Sequence, residues 1–158
     1  MTRIFTTGIL IRNGKLLILK RKMDDDTYPG LWDCPGGHFE KGESAEECMI
    51  REAREESGLD VKILRPGPLL DYTDLYGRAI SVPFMIRSDS GTVSLTEHSE
   101  SKWIRPEEIS NYRAVPDLLL ALEAFGLPGA KSGPKIGGKK APGGSHNRRG
   151  KRIHSLSL

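Results

Sequence analysis

Seven glutamates crowd the stretch GGHFEKGESAEECMIREAREESGL, Gly36 to Leu59, and three of them, Glu52, Glu55 and Glu56, are spaced i, i+3 and i+4. On a helix that spacing fans three carboxylates over about 100° of one face, a turn apart, where like charges repel. A divalent cation would offset the cost. A hard ion such as Mg²⁺ or Mn²⁺ takes oxygen ligands, keeps several waters and reaches a protein through a few carboxylates, leaving other positions to substrate phosphates. Arg51 stands four residues before Glu55, so a guanidinium beside the cluster can hold one carboxylate and leave the others free. The bland alternative is a solvated acidic helix face, and charge alone does not decide between the two.

Such a cluster needs a rigid helix under it. Ser44 and Glu47 form an S-x-x-E capping box, and Gly58 stands where a left-handed C-cap is expected, so the sequence predicts a helix between them. Ala45, Met49 and Ala53 recur every four residues and Cys48 extends their stripe, giving one apolar side to lie on a sheet. Phe5 to Ile11 and Lys15 to Leu19 read as two strands joined by a tight turn at Asn13-Gly14. A loop at Lys22 to Gly30 leads through Leu31-Trp32 into Pro35-Gly36-Gly37, where the backbone must bend sharply. Val61 to Leu64, Leu69 to Leu75 and Ala79 to Ile86 read as further strands, with turns at Arg65-Pro66-Gly67 and Tyr76-Gly77. Trp103-Ile104 adds a short strand, and Pro116 to Phe125 a second helix with Leu118, Leu119, Leu122 and Phe125 at helical spacing. Strands mixed with helices argue for a mixed β-sheet sandwiched between α-helices, an α/β fold.

Composition limits what else the chain can be. Its 158 residues suit one domain with a proper core. Residues 1 to 130 hold 16 Lys and Arg against 21 Asp and Glu, whereas the last 28 residues hold 8 basic and no acidic side chains. The excess of positive charge therefore describes a mildly acidic domain with a basic tail. Cys34 and Cys48 are the two cysteines, in no zinc-like spacing, and a disulfide framework is not expected. The start, MTRIFTTGILIRNGKLLILK, has neither the apolar core of a signal peptide nor the length of a membrane span, so a cytoplasmic location with no membrane contact is the expectation.

Gly37, Glu43, Arg51-Glu52, Glu55-Glu56 and Gly58-Leu59 stand at the spacing G-x5-E-x7-R-E-U-x-E-E-x-G-U, where U is aliphatic. This pattern resembles the Nudix box, and the chain is identified as a member of the Nudix hydrolase family, similar to its MutT-like branch. Ala53 is smaller than the usual aliphatic residue at its U position, a departure that bears on packing. Leu31-Trp32-x-x-Pro35-Gly36-Gly37 and Glu97-x5-Trp103 also look like the family, so the resemblance spans about residues 4 to 125. It implies a Nudix domain over residues 1–128. It also implies hydrolysis, by water, of the pyrophosphate bond in a nucleoside diphosphate linked to another moiety. By matching position, Glu52, Glu55, Glu56 and the Gly37 carbonyl would bind Mg²⁺ or Mn²⁺, Glu43 would support the loop or helix, and Arg51 would orient the cluster. The general base is Glu52 or the downstream Glu97, with Glu100 and His98 ranked below them.

Substrate contacts are less defined. His38 lies in the loop after Gly37, near where phosphate would sit. Tyr28, Trp32, Tyr72, Tyr76 and Phe84 could stack on a base, although aromatic side chains more often fill a core. Tyr76, seventeen residues after Leu59, loosely resembles a position in the dinucleoside polyphosphate hydrolases of the family, while the compact domain looks more like the MutT-type nucleoside triphosphate enzymes. Residues 129–158, rich in Gly, Pro, Lys and Arg, are expected to be disordered and able to contact nucleic acid through their basic runs. Two classes of function follow: a metal-dependent pyrophosphohydrolase, or a nucleotide-sensing module that binds without turnover and reaches RNA or a partner through its tail. The full set of Glu52, Glu55, Glu56 and Arg51 favours the enzyme.

Overall fold

The computed structural model describes residues 1–127; the basic tail, with its expected disorder and nucleic-acid contact, lies outside them. The chain runs through β1 (Arg3–Arg12), β2 (Lys15–Arg21), β3 (Trp32–Asp33), α1 (Ala45–Ser57), β4 (Lys62–Pro66), β5 (Leu70–Asp74), β6 (Gly77–Arg87) and β7 (His98–Ile104). A 3₁₀ helix at Pro106–Asn111 and α2 (Pro116–Ala124) complete it. No helix among the described residues is long and apolar enough to cross a membrane.

The expected turn is present, with Asn13 and Gly14 at φ of 51° and 77°. Its hairpin is brief, pairing Ile11 with Leu16 and Arg12 with Lys15. Beyond those pairs the strands part. β1 runs parallel to β6 from Arg3 opposite Ala79 to Leu10 opposite Ile86, whereas β2 runs antiparallel to β7 on one side and β3 on the other. The seven strands form one mixed sheet. β7 begins at His98, five residues before the expected Trp103-Ile104, because Arg21 and the polar His98-Ser99-Glu100 segment complete a ladder the apolar pattern does not show.

Pro83 sits inside β6, where a proline normally removes a ladder bond. β5 pairs with β6 up to Ser81 and β4 takes over at Phe84, so Pro83 falls in the gap between two partners. Its carbonyl accepts the Gly67 N–H at 2.9 Å on that side, and the missing proline N–H costs nothing there.

Both faces of the sheet are covered, which explains why β2 reads as an unbroken apolar run, Leu16-Leu17-Ile18-Leu19, with all four fully buried. Leu17 and Leu19 pack with Leu10, Phe84 and Ile86 against Met49 and Ala53 of α1. Leu16 and Ile18 pack with Ile9 against Leu118, Ala121 and Leu122 of α2. Each such side chain contributes roughly 1.5–3 kcal/mol of transfer free energy. Gly8 makes the close approach of α1 possible, since a Cβ there would lie 2.7 Å from Met49 Cε.

α1 starts and stops where the sequence says. Ser44 accepts the Glu47 N–H at 3.1 Å, the Glu47 carboxylate accepts the Ser44 N–H at 3.0 Å, and Gly58 closes the helix at φ 76°. Gly36 and Gly37 then run beside β1, with Thr6 N–H donating to the Gly37 carbonyl at 2.9 Å and Gly8 N–H to that of Pro35 at 2.7 Å. A Cβ on Gly36 would come within 2.0 Å of the Thr6 carbonyl oxygen. Ser44→Ala is expected to lower the unfolding free energy by about 1 kcal/mol in urea denaturation. Gly36→Ala should cost distinctly more, because backbone rather than a movable side chain is in the way; equal stabilities for the two variants would contradict this.

Candidate active site

The glutamate face of α1 is organised by Arg51. Its Nε and Nη2 grip both oxygens of Glu43, Nη2 at 3.0 Å, and Nη2 also donates to the His38 carbonyl at 3.0 Å. A single remaining nitrogen, Nη1, reaches both Glu52 Oε2 and Glu55 Oε1 at 3.1 Å. One end of the guanidinium therefore fastens the loop before α1 to the helix, while the other lies against two carboxylates of the cluster. The hydrogen bonds from Arg51, then that from the Glu40 backbone to the carboxylate, hold Glu43 down to about 2.

Glu52 and Glu56 are set apart from solvent. The Glu52 carboxylate packs onto Gly37, where a Cβ would meet both of its oxygens at 2.5 Å, so this glycine is needed for space. Glu56 is 8 % exposed, and its Oε1 accepts the Gly36 N–H at 2.9 Å. Burial pushes Glu52 up against the pull of Arg51, and pushes Glu56 well above the usual carboxylate range. Glu55 is half exposed.

Glu97 arrives from a different direction. The segment before β7 lies over the C-terminal end of α1, where Ser94 N–H donates to the Ser57 carbonyl at 2.8 Å and the Thr96 hydroxyl to that of Glu55 at 3.0 Å. Arg12 stiffens its start, donating to the carbonyls of Ser88, Ser90 and Gly91 while stacking on Trp103. Glu97 is exposed, and its charge adds to the upward push on Glu52 and Glu56. His98 is buried with Nδ1 unpartnered, and desolvation lowers its pKa. Glu100 is exposed on β7.

Next to this face opens a cleft of about 530 Å³, including its mouth. Its lining includes Gly36 and Gly37, which touch Glu56 and Glu52, together with His38, Arg21, Asp33 and Asp117. His38 is exposed and meets Phe5 edge-on at 5.9 Å. Of the aromatic candidates, Tyr28 and Tyr72 reach the cleft. Trp32 and Phe84 are buried in the two cores. Tyr76 is not among the lining residues; it stands behind Tyr28, accepting that residue's N–H at 3.1 Å and packing edge-on at 5.0 Å. The Tyr28 hydroxyl donates to Asp74 at 2.7 Å, so the loop after β2 is buttoned to the β5–β6 turn across the cleft wall.

Sequence reasoning missed Arg21, Asp33 and Asp117. Among the described residues, the three metal-type groups whose donor atoms lie within 4.8 Å of one another are Asp33, Cys34 and Asp117, not the glutamates. That trio does not suit a hard cation. Asp33 already accepts from Arg21 and from the Cys34 N–H, Asp117 accepts from Thr7, and burial keeps the Cys34 thiol protonated. The donor chemistry of the glutamate face does suit one: the donors are all oxygen, one carboxylate is buried away from water, and a cation would displace only Nη1 of Arg51. The Gly37 carbonyl accepts the Thr6 N–H at 2.9 Å, with Thr6 Oγ1 at 3.4 Å and Cys48 Sγ at 3.5 Å as longer contacts.

A family model described as the NUDIX domain matches residues 2–125. The CTP pyrophosphohydrolase of Escherichia coli (strain K12) is 32 % identical over 121 residues, covering 75 % of this chain and 87 % of that protein. An isopentenyl-diphosphate Delta-isomerase of Citrobacter koseri is 27 % identical over 123 residues, 76 % of this chain and 66 % of that protein. The crystal structure of a MutT protein from Methanosarcina mazei Go1 superposes with a TM-score of 0.67 at 26 % identity, covering 73 % of this chain and 86 % of that one. The chain belongs to the Nudix family, and it is a pyrophosphohydrolase of that family.

The grip of Arg51 on Glu43 has a pH signature. Because the folded-state pKa of Glu43 is depressed to about 2, the stability it contributes is present above its ordinary value and is lost as pH falls through about 2. Thermal melts of Glu43→Gln beside wild type are expected to differ at neutral pH and to converge as the acid limit is approached; a difference that does not change with pH would contradict the ion pair.

Proposed function

We infer that the chain hydrolyses nucleoside triphosphates to the monophosphate and pyrophosphate with Mg²⁺ or Mn²⁺ bound, and that cytidine nucleotides are its substrates. The observation that carries this is the adjacency of two sites: an all-oxygen glutamate face on α1 and a polar cleft that begins at Gly36, Gly37 and His38. Both named relatives concern molecules with a diphosphate, and one of them a cytidine nucleotide. The cleft is what an isoprenoid chain would not use, since Asp33 and Asp117 offer charge and hydrogen bonds where an alkyl group needs none.

Glu52, Glu55 and Glu56 would hold the cation, with the Gly37 carbonyl as a further donor. When bound, the cation neutralises pyrophosphate oxygens and acidifies a water. Tyr28 and Tyr72 flank the base and Asp33 and Asp117 bind its polar edge, so the phosphate chain extends past His38 toward α1. Arg51 fixes the carboxylates through Glu43 and thereby their aim. Glu52, raised by burial and pressed against Gly37, is the base that takes the water's proton, and Glu97, on the segment before β7, is the alternative.

A pyrophosphatase-coupled phosphate assay over CTP, dCTP, UTP, ATP and GTP, with Mg²⁺ or Mn²⁺, is the test. Cytidine nucleotides should be turned over best, and Glu52→Gln should lower kcat by about 10²-fold or more with KM changed far less. Glu97→Gln showing the larger loss would move the base to that residue. No turnover of any nucleotide by the wild-type protein would overturn the reading.

A further inference from the structure

Asp33 and Asp117 reach the cleft from β3 and from the first turn of α2, and their oxygens approach within 4.8 Å. The two carboxyl groups are held in different ways. Asp33 Oδ2 accepts Arg21 Nη1 at 2.6 Å and Oδ1 accepts the Cys34 N–H at 2.8 Å. Asp117 Oδ2 meets a hydroxyl instead, accepting from Thr7 Oγ1 at 2.9 Å, with Ser81 Oγ behind Thr7. The same Arg21 also donates to Asp25 at 2.9 Å and to the carbonyl and hydroxyl of Thr27, each at 2.8 Å, folding the loop onto the cleft floor.

With their oxygens within 4.8 Å of each other, ionising both carboxyl groups costs more than ionising one, which favours keeping a proton on one of them. Which one holds it depends on what faces each. Asp33 faces the Arg21 guanidinium, and His98 senses both of them and Asp25. Asp117 faces Asp33, Cys34 and Tyr72, with Arg21 more weakly felt. Burial first, then the charge on Asp33, pushes Asp117 up to about 7.

We propose that Arg21 is a positioning residue for the base: its grip on Asp33 keeps the negative charge there and leaves the proton on Asp117, so the cleft presents an acceptor beside a donor. This rests on reading the cleft as the seat of the base. A cytosine edge answers that pattern, its amino group donating and its N3 accepting. Uracil presents the reverse at the same two positions, an N–H and a carbonyl. Were the proton free to pass to Asp33, the cleft would suit uracil equally well. Arg21 blocks the exchange, because it would then face a neutral acid while the charge moved to the carboxyl group that no guanidinium contacts. The guanidinium acts on specificity without touching the base.

The test is kcat/KM for CTP and UTP across pH in the full chain, comparing wild type with Arg21→Gln, Arg21→Lys and Asp25→Asn, each checked for folding by circular dichroism. In wild type, KM for CTP should rise as pH passes about 7 and the Asp117 proton leaves. Arg21→Gln should lower the CTP-over-UTP preference by about tenfold or more, chiefly through KM, because a buried donor or acceptor mismatch is what sets such ratios. Loss of the cation should also move the rise in KM to higher pH. Arg21→Lys, which keeps the charge, should lie closer to wild type than Arg21→Gln in both respects. Asp25→Asn loosens the loop without touching Asp33 and should keep the preference and the pH profile. An unchanged preference in Arg21→Gln, or an equal loss in Asp25→Asn, would overturn the proposal and leave Arg21 a loop anchor. Wild-type protein that hydrolyses CTP and UTP alike would instead remove the base-seat reading itself.

Discussion

A single guanidinium makes the acidic face of α1 possible. Glu40, Glu43, Glu52 and Glu55 all lie within ion-pairing reach of Arg51, and without a cation at that point their repulsion would drive the loop after Gly37 away from the helix. The arrangement is asymmetric in a useful way. Two nitrogens are committed to Glu43 and the His38 carbonyl, which ties Gly36 and Gly37 to their place beside β1. The third is shared between Glu52 and Glu55 and is the part that a metal ion can replace. Lysine could not divide its contacts this way, since a point charge lacks the planar fork.

Everything else in the fold serves the distance between that face and the cleft. The capping box and Gly58 fix where α1 starts and ends, Gly8 lets its Met49 settle on β1, and the Gly36-Gly37 pair lets the loop pass between Thr6 and Glu52 with no side chain in the way. β1 is the common reference. Its Thr6 holds the Gly37 carbonyl, and its Thr7 holds Asp117 at the start of α2. Alternation along one strand thus connects the proposed metal side to the base side.

The glutamate face is far easier to read from the sequence than the cleft, for physical reasons. Glu52, Glu55, Glu56, Arg51 and Glu43 are close in the chain, so helical period and one capping box suffice to place them together. Asp33, Arg21 and Asp117 come from two short strand ends and a helix start, and only tertiary pairing unites them. Asp117 was further disguised, because an acid in the first turn of a helix looks like ordinary compensation of the helix dipole. The aromatic residues show the same limit. Period separates strand from helix, but it does not tell that Trp32 faces the core while Tyr28 faces the cleft, or that Tyr76 supports Tyr28 from behind. The unbroken apolar run of β2 was legible as a strand, and its burial on both faces became clear only from the two helices that cover it.

The central claim is that the glutamate face, and not the Asp33–Cys34–Asp117 group, takes the divalent cation. The most direct measurement is Mn²⁺ binding followed by water-proton relaxation in wild type, in a Glu55→Gln/Glu56→Gln variant and in Asp117→Asn. Saturable binding in wild type and in Asp117→Asn, lost or greatly weakened in the double glutamine variant, is what the account requires. Binding that survives the loss of both glutamates but disappears with Asp117 would place the metal in the cleft and contradict it.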